Sequence, residues 1–212
     1  MSKPKSTAGL DDISELEKEM LPTEGIVSVT IKGFPPGLLM NNPIGMMKDR
    51  GKSRRKTEIP SPEEEAEAKC YRDENGGLFV PMEAIYGSIL NVAANYKIGK
   101  SRATSYIAGG VKVRPLRIPL NLTKYDIDIR PAVVQRQRVI RARAWIKDWK
   151  IHFYMIFEPS LGITPVLLND CLVESGRRVG ILDFRPQHRG PFGTFVVEDF
   201  KVLREGGKVA QD

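Results

Sequence analysis

Residues 149–158 read WKIHFYMIFE, and this stretch decides the fold. Apolar and polar side chains alternate along it: Trp149, Phe153 and Phe157 fall on one side, and Lys150 and His152 fall on the other. Successive side chains of a β-strand point to opposite faces, so the alternation predicts a strand with one face in the core.

The residues on either side extend this strand into a sheet. Residues 133–144 are predicted to form the strand before it, because the connection Ile146-Lys147-Asp148 has hairpin length. Alternation predicts two further strands, at 25–33 and 193–203. Helices are expected at 81–96, which begins with proline, and at 164–175, where a Thr-Pro pair forms the N-terminal cap.

The predicted elements follow one another as strand, helix, strand, strand, helix, strand. This is the order of a ferredoxin-like (RRM-like) βαββαβ unit. We therefore expect an α+β fold in which an antiparallel sheet carries two helices on one face and has long inserted loops. The other face of the sheet is expected to be free to bind a ligand.

The chain of 212 residues fits a single domain with insertions. We expect this domain over residues 25–203, with a basic loop inserted at 41–60 and a polar C-terminal tail at 204–212. Residues 1–24 are interpreted as an acidic tail or docking helix, which forms a helix only against a partner.

Charge points to an anionic partner. The sequence has 33 Lys and Arg against 26 Asp and Glu, a net charge of +7. Between Arg130 and Lys150 there are seven basic residues and one acid, Asp148. We predict that this stretch binds a polyanion, namely single-stranded nucleic acid, with Trp145 and Tyr154 as stacking surfaces. The alternative is a solvated strand face whose arginines pair with carboxylates.

The spacing of the arginines also predicts the geometry of this strand. Arg136 and Arg138 share one side of a regular strand, whereas Arg141 and Arg143 share the other. One pair would then enter the core, which is costly for an unpaired charge. We therefore expect a β-bulge near Val139-Ile140, or a strand at an edge with both faces wet.

Three other basic segments are candidates. Residues 46–57 are interpreted as a mobile arm or a disordered loop, residues 97–117 contain six cations and no acid, and the glycine-rich loop 177–193 is suited to cradle phosphates. The full set of candidate nucleic-acid-binding residues is Lys48, Arg50, Lys52, Arg54, Arg55, Lys56, Lys97, Lys100, Arg102, Arg130, Arg136, Arg138, Arg141, Arg143, Lys150, Arg177, Arg178, Arg185 and Arg189.

Catalytic and metal-binding patterns are sparse. The two cysteines, Cys70 and Cys171, are far apart, both are expected in helices, and no zinc-ligand spacing occurs. We expect no cofactor and no metal, although Asp126 and Asp128 could hold one. No nucleophile elbow, Walker A loop or HExxH motif is found. Without a signal peptide or an apolar span, a cytoplasmic protein is expected.

Three features resemble the repeat-associated (RAMP) superfamily, and within it the backbone subunits of CRISPR effector complexes. A first strand at 26–31 precedes a long loop, the segment LFVPMEAIYG at 78–87 leads into a helix, and the glycine-rich loop 176–193 precedes the last strand. In this sequence Met82-Glu83-Ala84 stands where the family has Gly-Ser-Ser, and Tyr86 stands where it has Lys.

The resemblance implies an RNA-recognition-like core that polymerises along a guide RNA in an antiviral ribonucleoprotein, together with other subunits. It implies that a thumb or finger comes from residues 46–57, and that Asp49 is the nearest match to an aspartate with which some relatives cut RNA. Two alternatives stay open: an RNA endonuclease that uses His152 or Asp49, and a single-stranded DNA-binding, annealing or structural protein of a phage or mobile element.

Overall fold

The computed structural model describes residues 16–18, 20–43, 60–134 and 137–206, with the side chains of 132–138 left aside. Its strands are β1 (Gly25–Gly33), β2 (Leu38–Leu39), β3 (Phe79–Pro81), β4 (Lys97–Ile98), β5 (Ser101–Arg102), β6 (Val111–Arg114), β7 (Arg117–Pro119), β8 (Asp126–Val134), β9 (Gln137–Ile146), β10 (Lys150–Phe157) and β11 (Phe195–Arg204). Its α-helices are α1 (Pro62–Ala68), α2 (Met82–Ala93), α3 (Ala103–Gly110) and α4 (Pro165–Glu174).

The main sheet has four antiparallel strands in the order β11-β1-β10-β6. Alternate side chains of β1 and β10 enter the core, where Val29 pairs with Phe153 and Ile31 pairs with Ile151. The helices α2 and α4 contribute to the same core, through Ile85, Ile89, Leu168 and Leu172. The expected α+β fold with an antiparallel sheet is therefore confirmed.

The prediction that β10 pairs with the strand at 133–144 is wrong. Strand β9 does not pair with β10; it lies between β2 and β8 in a separate three-stranded sheet. Strand β10 pairs with β1 on one side and, over Tyr154–Phe157, with the short strand β6 on the other. The segment between Ile146 and Lys150 thus joins two sheets and does not close a hairpin.

The expected β-bulge near Val139-Ile140 is also wrong. The ladder between β8 and β9 runs without a register shift from Asp126↔Trp145 to Val134↔Gln137. Strand β9 buries Ala142 and Ala144 in the half that leads to Ile146, whereas Ile140, nearer the turn, is 73% exposed. On β8, Ile129 pairs with Ala142 and is 55% exposed. The far half of this hairpin is therefore outside the core.

Helix starts follow the sequence signals. Ser61 accepts a hydrogen bond from the Glu64 N–H, and the Glu64 side chain accepts one from the Ser61 N–H, so α1 begins with a capping box. Thr164 caps α4 by accepting from the Leu167 N–H. Helix α2 differs, because it begins directly after Pro81 without a side-chain cap.

The second face of the main sheet is partly covered by the chain itself. Leu16 and Met20 pack against Ile26, Tyr154 and Ile156. Tyr154, predicted to face outward as a stacking surface, is only 2% exposed because of this cover. Within the described ranges, no helix is both long and apolar enough to cross a membrane.

Candidate nucleic-acid interface

The described basic side chains of the stretch 130–150 pair with carboxylates. Arg130 pairs with Asp128 at 2.5 Å, and Arg141 pairs with Glu65 at 3.2 Å. The remaining pairs are Arg143 with Asp183, Lys147 with Asp126 and Lys150 with Glu198. The expectation of an open, unpaired arginine face is therefore wrong for these residues, although nucleic-acid binding by them stays a prediction.

Two of the carboxylates come from distant parts of the sequence. Glu65 lies on α1 and Asp183 lies in the glycine-rich loop, and both approach β9 only in the folded chain. The side chain of Arg138 and the whole of Arg136 lie outside the described residues. So do Lys48, Arg50, Lys52, Arg54, Arg55 and Lys56, together with Asp49.

Aromatic contacts join the β8–β9 hairpin to the glycine-rich loop. The Arg130 guanidinium lies 4.7 Å from the ring centroid of Phe192 and 5.7 Å from that of Phe184. Trp145 meets Phe192 edge-on and donates its indole N–H to the Pro36 carbonyl at 2.6 Å. Trp145 is thus engaged inside the molecule, and the hairpin holds the glycine-rich loop.

Backbone hydrogen bonds close this loop. The Ile181 N–H donates to the Gly193 carbonyl at 2.9 Å, and the Gly193 N–H donates to the Gly37 carbonyl at 2.8 Å. Gly193 has a φ of +70°, and a Cβ at this position would collide with the Ile181 carbonyl oxygen. Glycine is therefore required at the neck of the loop.

The loop and the start of α2 together form a groove of about 340 Å³, which we call the helix-start groove. Its lining residues are Asn41, Tyr71, Pro81, Glu83, Ala84, Leu182, Asp183, Arg185 and His188. The first N–H groups of a helix have no intrahelical partner and carry a partial positive charge. Here the Met82 N–H donates to the Leu116 carbonyl at 2.9 Å, and no side chain caps the N–H groups that follow. Such an end is suited to a phosphate.

Arg185 provides the cation that lines this groove. It donates to the Leu182 carbonyl at 2.9 Å and to the Gln187 side chain at 2.8 Å. Burial lowers the pKa of its guanidinium, which still remains charged. Two carboxylates also line the groove: Asp183, paired with Arg143, and Glu83, which is exposed and forms no ion pair among the described residues. The negative charge of Glu83 therefore disfavours the binding of an anion at this position.

Arg189 follows the groove residues directly, while the other predicted cations lie elsewhere. Lys97, Lys100 and Arg102 belong to the β4–β5 hairpin beyond the other end of α2, whose 12 residues span about 18 Å. Arg177 and Arg178 follow α4, where Arg178 pairs with Glu174 at 3.0 Å. Lys150 lies on the second face of the main sheet. The predicted residues thus do not form one site.

Asn41, Tyr71 and His188 line the groove but were not predicted from the sequence as site residues. The uncapped helix start after Pro81 was the signal that could have located them, since an uncapped helix end attracts anions. Asn41 also precedes the basic segment 46–57 in the sequence, and that segment lies outside the described residues.

The catalytic alternatives find little support in the described geometry. His152 contacts the Thr30 hydroxyl at 3.1 Å on the second face of the sheet, away from the groove. Asp126 and Asp128 each pair with a cation, and the described residues contain no group of three metal-ligating side chains. Burial raises the pKa of Cys70 and Cys171 to about 12; Cys171 lies in α4, whereas Cys70 follows the end of α1.

No family model and no curated protein matches this sequence. Among solved structures, the chain is similar to one from the cryo-EM structure of the Type III-B Cmr-beta bound to cognate target RNA. The similarity has a TM-score of 0.59 at 14% identity, and it covers 94% of this chain and 68% of that chain. At this identity the similarity concerns the fold, and nearly the whole chain therefore has a fold like that of a chain of the Cmr complex.

Proposed function

We propose that this chain is a single-stranded RNA-binding backbone subunit of a CRISPR-type ribonucleoprotein, a distant member of the RAMP superfamily that assembles in several copies along a guide RNA. The observation that carries the proposal is the fold similarity, over 94% of the chain, to a chain of a complex bound to target RNA. The strand order β11-β1-β10-β6, with α2 and α4 between its strands in the chain, supports a ferredoxin-like core.

The helix-start groove is the proposed contact for the RNA backbone. Its helix N-terminus without a side-chain cap and Arg185 favour a phosphate oxygen, and Arg189 follows the lining residue His188 in the sequence. The basic segment 46–57, which lies outside the described residues, is proposed as a second cationic contact for the strand. Contacts of this kind fix the position of the backbone without reading its sequence.

The far half of the β8–β9 hairpin is the proposed contact with a neighbouring copy or with its RNA. Ile140 is exposed there, two residues after Arg138 in the sequence, and Ile129 is exposed on the neighbouring strand β8. An exposed apolar surface beside cations suits a partner that offers both bases and phosphates.

Fluorescence anisotropy with a labelled single-stranded RNA tests the proposal. We expect binding that weakens steeply with salt, because phosphate contacts release counterions at a slope of about 0.7 per contact for single strands. Arg185→Glu and Arg189→Glu together should weaken binding at least about tenfold. Lys18→Glu with Lys124→Glu changes two exposed cations outside the groove, alters the net charge by the same amount and should have a small effect.

A flat salt dependence, or equal losses from the groove and control variants, would reject the groove as the site. Competition with single-stranded DNA of the same sequence separates the RNA-binding subunit from the DNA-binding alternative. Cleavage of the labelled RNA that disappears in His152→Ala or Asp49→Ala would support the endonuclease.

A further inference from the structure

A chain of polar side chains leads from the helix-start groove along one face of α2. The Arg185 guanidinium donates to the Gln187 side-chain oxygen at 2.8 Å, and the Gln187 amide donates to the Asn91 side-chain oxygen at 2.6 Å. Asn91 in turn donates to the Gly87 carbonyl, one helical turn earlier. Asn91 is exposed, and no atom lies within 4 Å of the Cβ that Gly87 lacks, so this face of α2 is open to a ligand.

The same face continues past the end of α2 into a second groove, which we call the helix-end groove. Asn95, four residues after Asn91, is exposed and donates to Glu174 at 3.2 Å, and Glu174 also pairs with Arg178. The helix-end groove has a volume of about 480 Å³ and is lined by Tyr96, Asp170, Val173, Glu174, Arg177 and Arg178. Its two arginines and two carboxylates balance, so this middle part carries no net charge.

Positive charge is concentrated again in the β4–β5 hairpin, which follows Tyr96. Lys97 and Arg102 lie directly opposite each other in the ladder, and Lys100 lies in the turn. All three are exposed, and none forms an ion pair with any described residue. Like charges that face each other across two strands destabilise the pairing, and a bound anion would remove this cost.

The fold holds this hairpin at a fixed distance from the helix-start groove. Ile98 packs against the core, and the Ala103 N–H donates to the Tyr96 carbonyl at 2.9 Å. The 12 residues of α2 between the two places span about 18 Å. Because stacked nucleotides of one strand rise about 3.4 Å each, this distance corresponds to about five nucleotides.

We propose that the β4–β5 hairpin is a second phosphate-binding site, and that the RNA strand held in the helix-start groove runs along α2 to reach it. The cations at the two ends contact phosphates, whereas the exposed amides of Asn91 and Asn95 in the neutral middle part contact sugars and base edges. This inference rests on the proposed function, since it supplies the path of the same RNA. It implies that only a strand long enough to span α2 uses the hairpin.

Anisotropy titrations with labelled single-stranded RNAs of about four and about ten nucleotides test this path, because about five nucleotides are needed to span it. Lys97→Ser, Lys100→Ser and Arg102→Ser together should weaken binding of the longer RNA at least about tenfold. The salt slope should fall by about 2, since each of the three lost contacts contributes about 0.7. Binding of the shorter RNA, which reaches only the groove, should not change.

Two matched variants separate charge from other effects. Lys18→Ser, Lys32→Ser and Lys124→Ser remove three exposed cations elsewhere and should leave the affinity for both RNAs nearly unchanged. Lys97→Arg with Lys100→Arg keeps the charges of the hairpin and should retain full binding of the longer RNA. If this charge-conserving variant lost as much affinity as the serine variant, the hairpin would act through its shape and the proposed phosphate site would be wrong.

The two proposals fail in different ways. If the wild-type chain binds both RNAs but the hairpin and control variants have equal affinities, the path along α2 is rejected and the RNA-binding function stands. An equal loss for the shorter and the longer RNA also rejects the path, because the hairpin would then belong to the same contact as the groove. If the wild-type chain binds neither RNA at low salt, the proposed function and this inference are both wrong.

Discussion

Arg143 of strand β9 forms an ion pair with Asp183 of the glycine-rich loop, and this pair joins the arginine-rich hairpin to the loop that carries Arg185 and His188. The contact is an ion pair without well-aligned hydrogen bonds. The Arg143 side chain is 14% exposed and that of Asp183 is 21% exposed, so water screens the pair only in part. The hairpin therefore stabilises the glycine-rich loop, which lines the helix-start groove.

Arg143→Ala should destabilise the fold by about 3 kcal/mol, because it leaves a largely buried carboxylate without its partner. Urea unfolding followed by tryptophan fluorescence measures the change. Lys147→Ala is the matched control: its pair with Asp126 has both side chains more than half exposed, and its loss should cost less than about 1 kcal/mol. Equal losses in the two variants would contradict a structural role for Arg143.

Glu65→Gln should destabilise the contact between α1 and β9. Glu65 pairs with Lys69 at 2.5 Å, accepts from the Ala142 N–H at 2.9 Å and pairs with Arg141. The Lys69 side chain is 5% exposed, so the variant leaves a buried ammonium unpaired, at a cost of about 3 kcal/mol.

The effect of Glu65 should depend on pH. Burial raises the pKa of this carboxyl, but the hydrogen bonds from Lys69, Ala142 and Arg141 outweigh it and hold the pKa below 4.5, its ordinary value. A lowered folded-state pKa gives stability that is present above the unfolded-state pKa and is lost as pH falls through the folded-state value. The difference between wild type and Glu65→Gln should therefore be full at pH 7 and shrink below pH 4.5; a constant difference in urea unfolding would count against the ion pair.

Gly193→Ala should open the glycine-rich loop. The position has a φ of +70°, and the added Cβ would meet the Ile181 carbonyl. Gly99→Ala provides the comparison, since its φ is +59° but no atom lies within 4 Å of the added Cβ. Gly99→Ala should cost about 1 kcal/mol, the conformational term alone, whereas Gly193→Ala should cost more and also weaken RNA binding. Similar melting temperatures for the two variants would contradict the steric argument.

Glu83→Ser should strengthen RNA binding several-fold, because it removes the exposed anion from the helix-start groove. Glu74→Ser changes the same charge in the exposed turn before β3 and should alter affinity much less. Anisotropy titrations at two salt concentrations measure both. If the two variants gave the same affinity, the RNA would not pass the start of α2.

The local patterns were sufficient to predict β1, β10 and the starts of α2 and α4, because alternation and helix-start signals involve near neighbours in the sequence. The partner of β10 could not be found in this way. Strand β6 has only four residues, Val111–Arg114, and its pairing with Tyr154–Phe157 is a long-range contact. A local connection of hairpin length favoured β9 instead.

The candidate site was predicted less well for the same reason. Arg141 and Arg143 looked unpaired because the sequence around them has few acids, whereas Glu65 and Asp183 reach them through the fold. The alternation along β10 predicted an exposed Tyr154, but Leu16 and Met20 cover this side chain. Only the glycine-rich loop and Arg185 were recognised among the residues that line the helix-start groove.

The unbroken ladder between β8 and β9 limits how the length of this hairpin can change during evolution. Adding or removing one residue within the paired part of β9 would exchange Ala142 and Ala144 with Arg141 and Arg143, and would place guanidinium groups where methyl groups are buried. Related hairpins should therefore differ by even numbers of residues within the ladder. Odd changes should be confined to the segment between Val134 and Gln137, beyond the last pair.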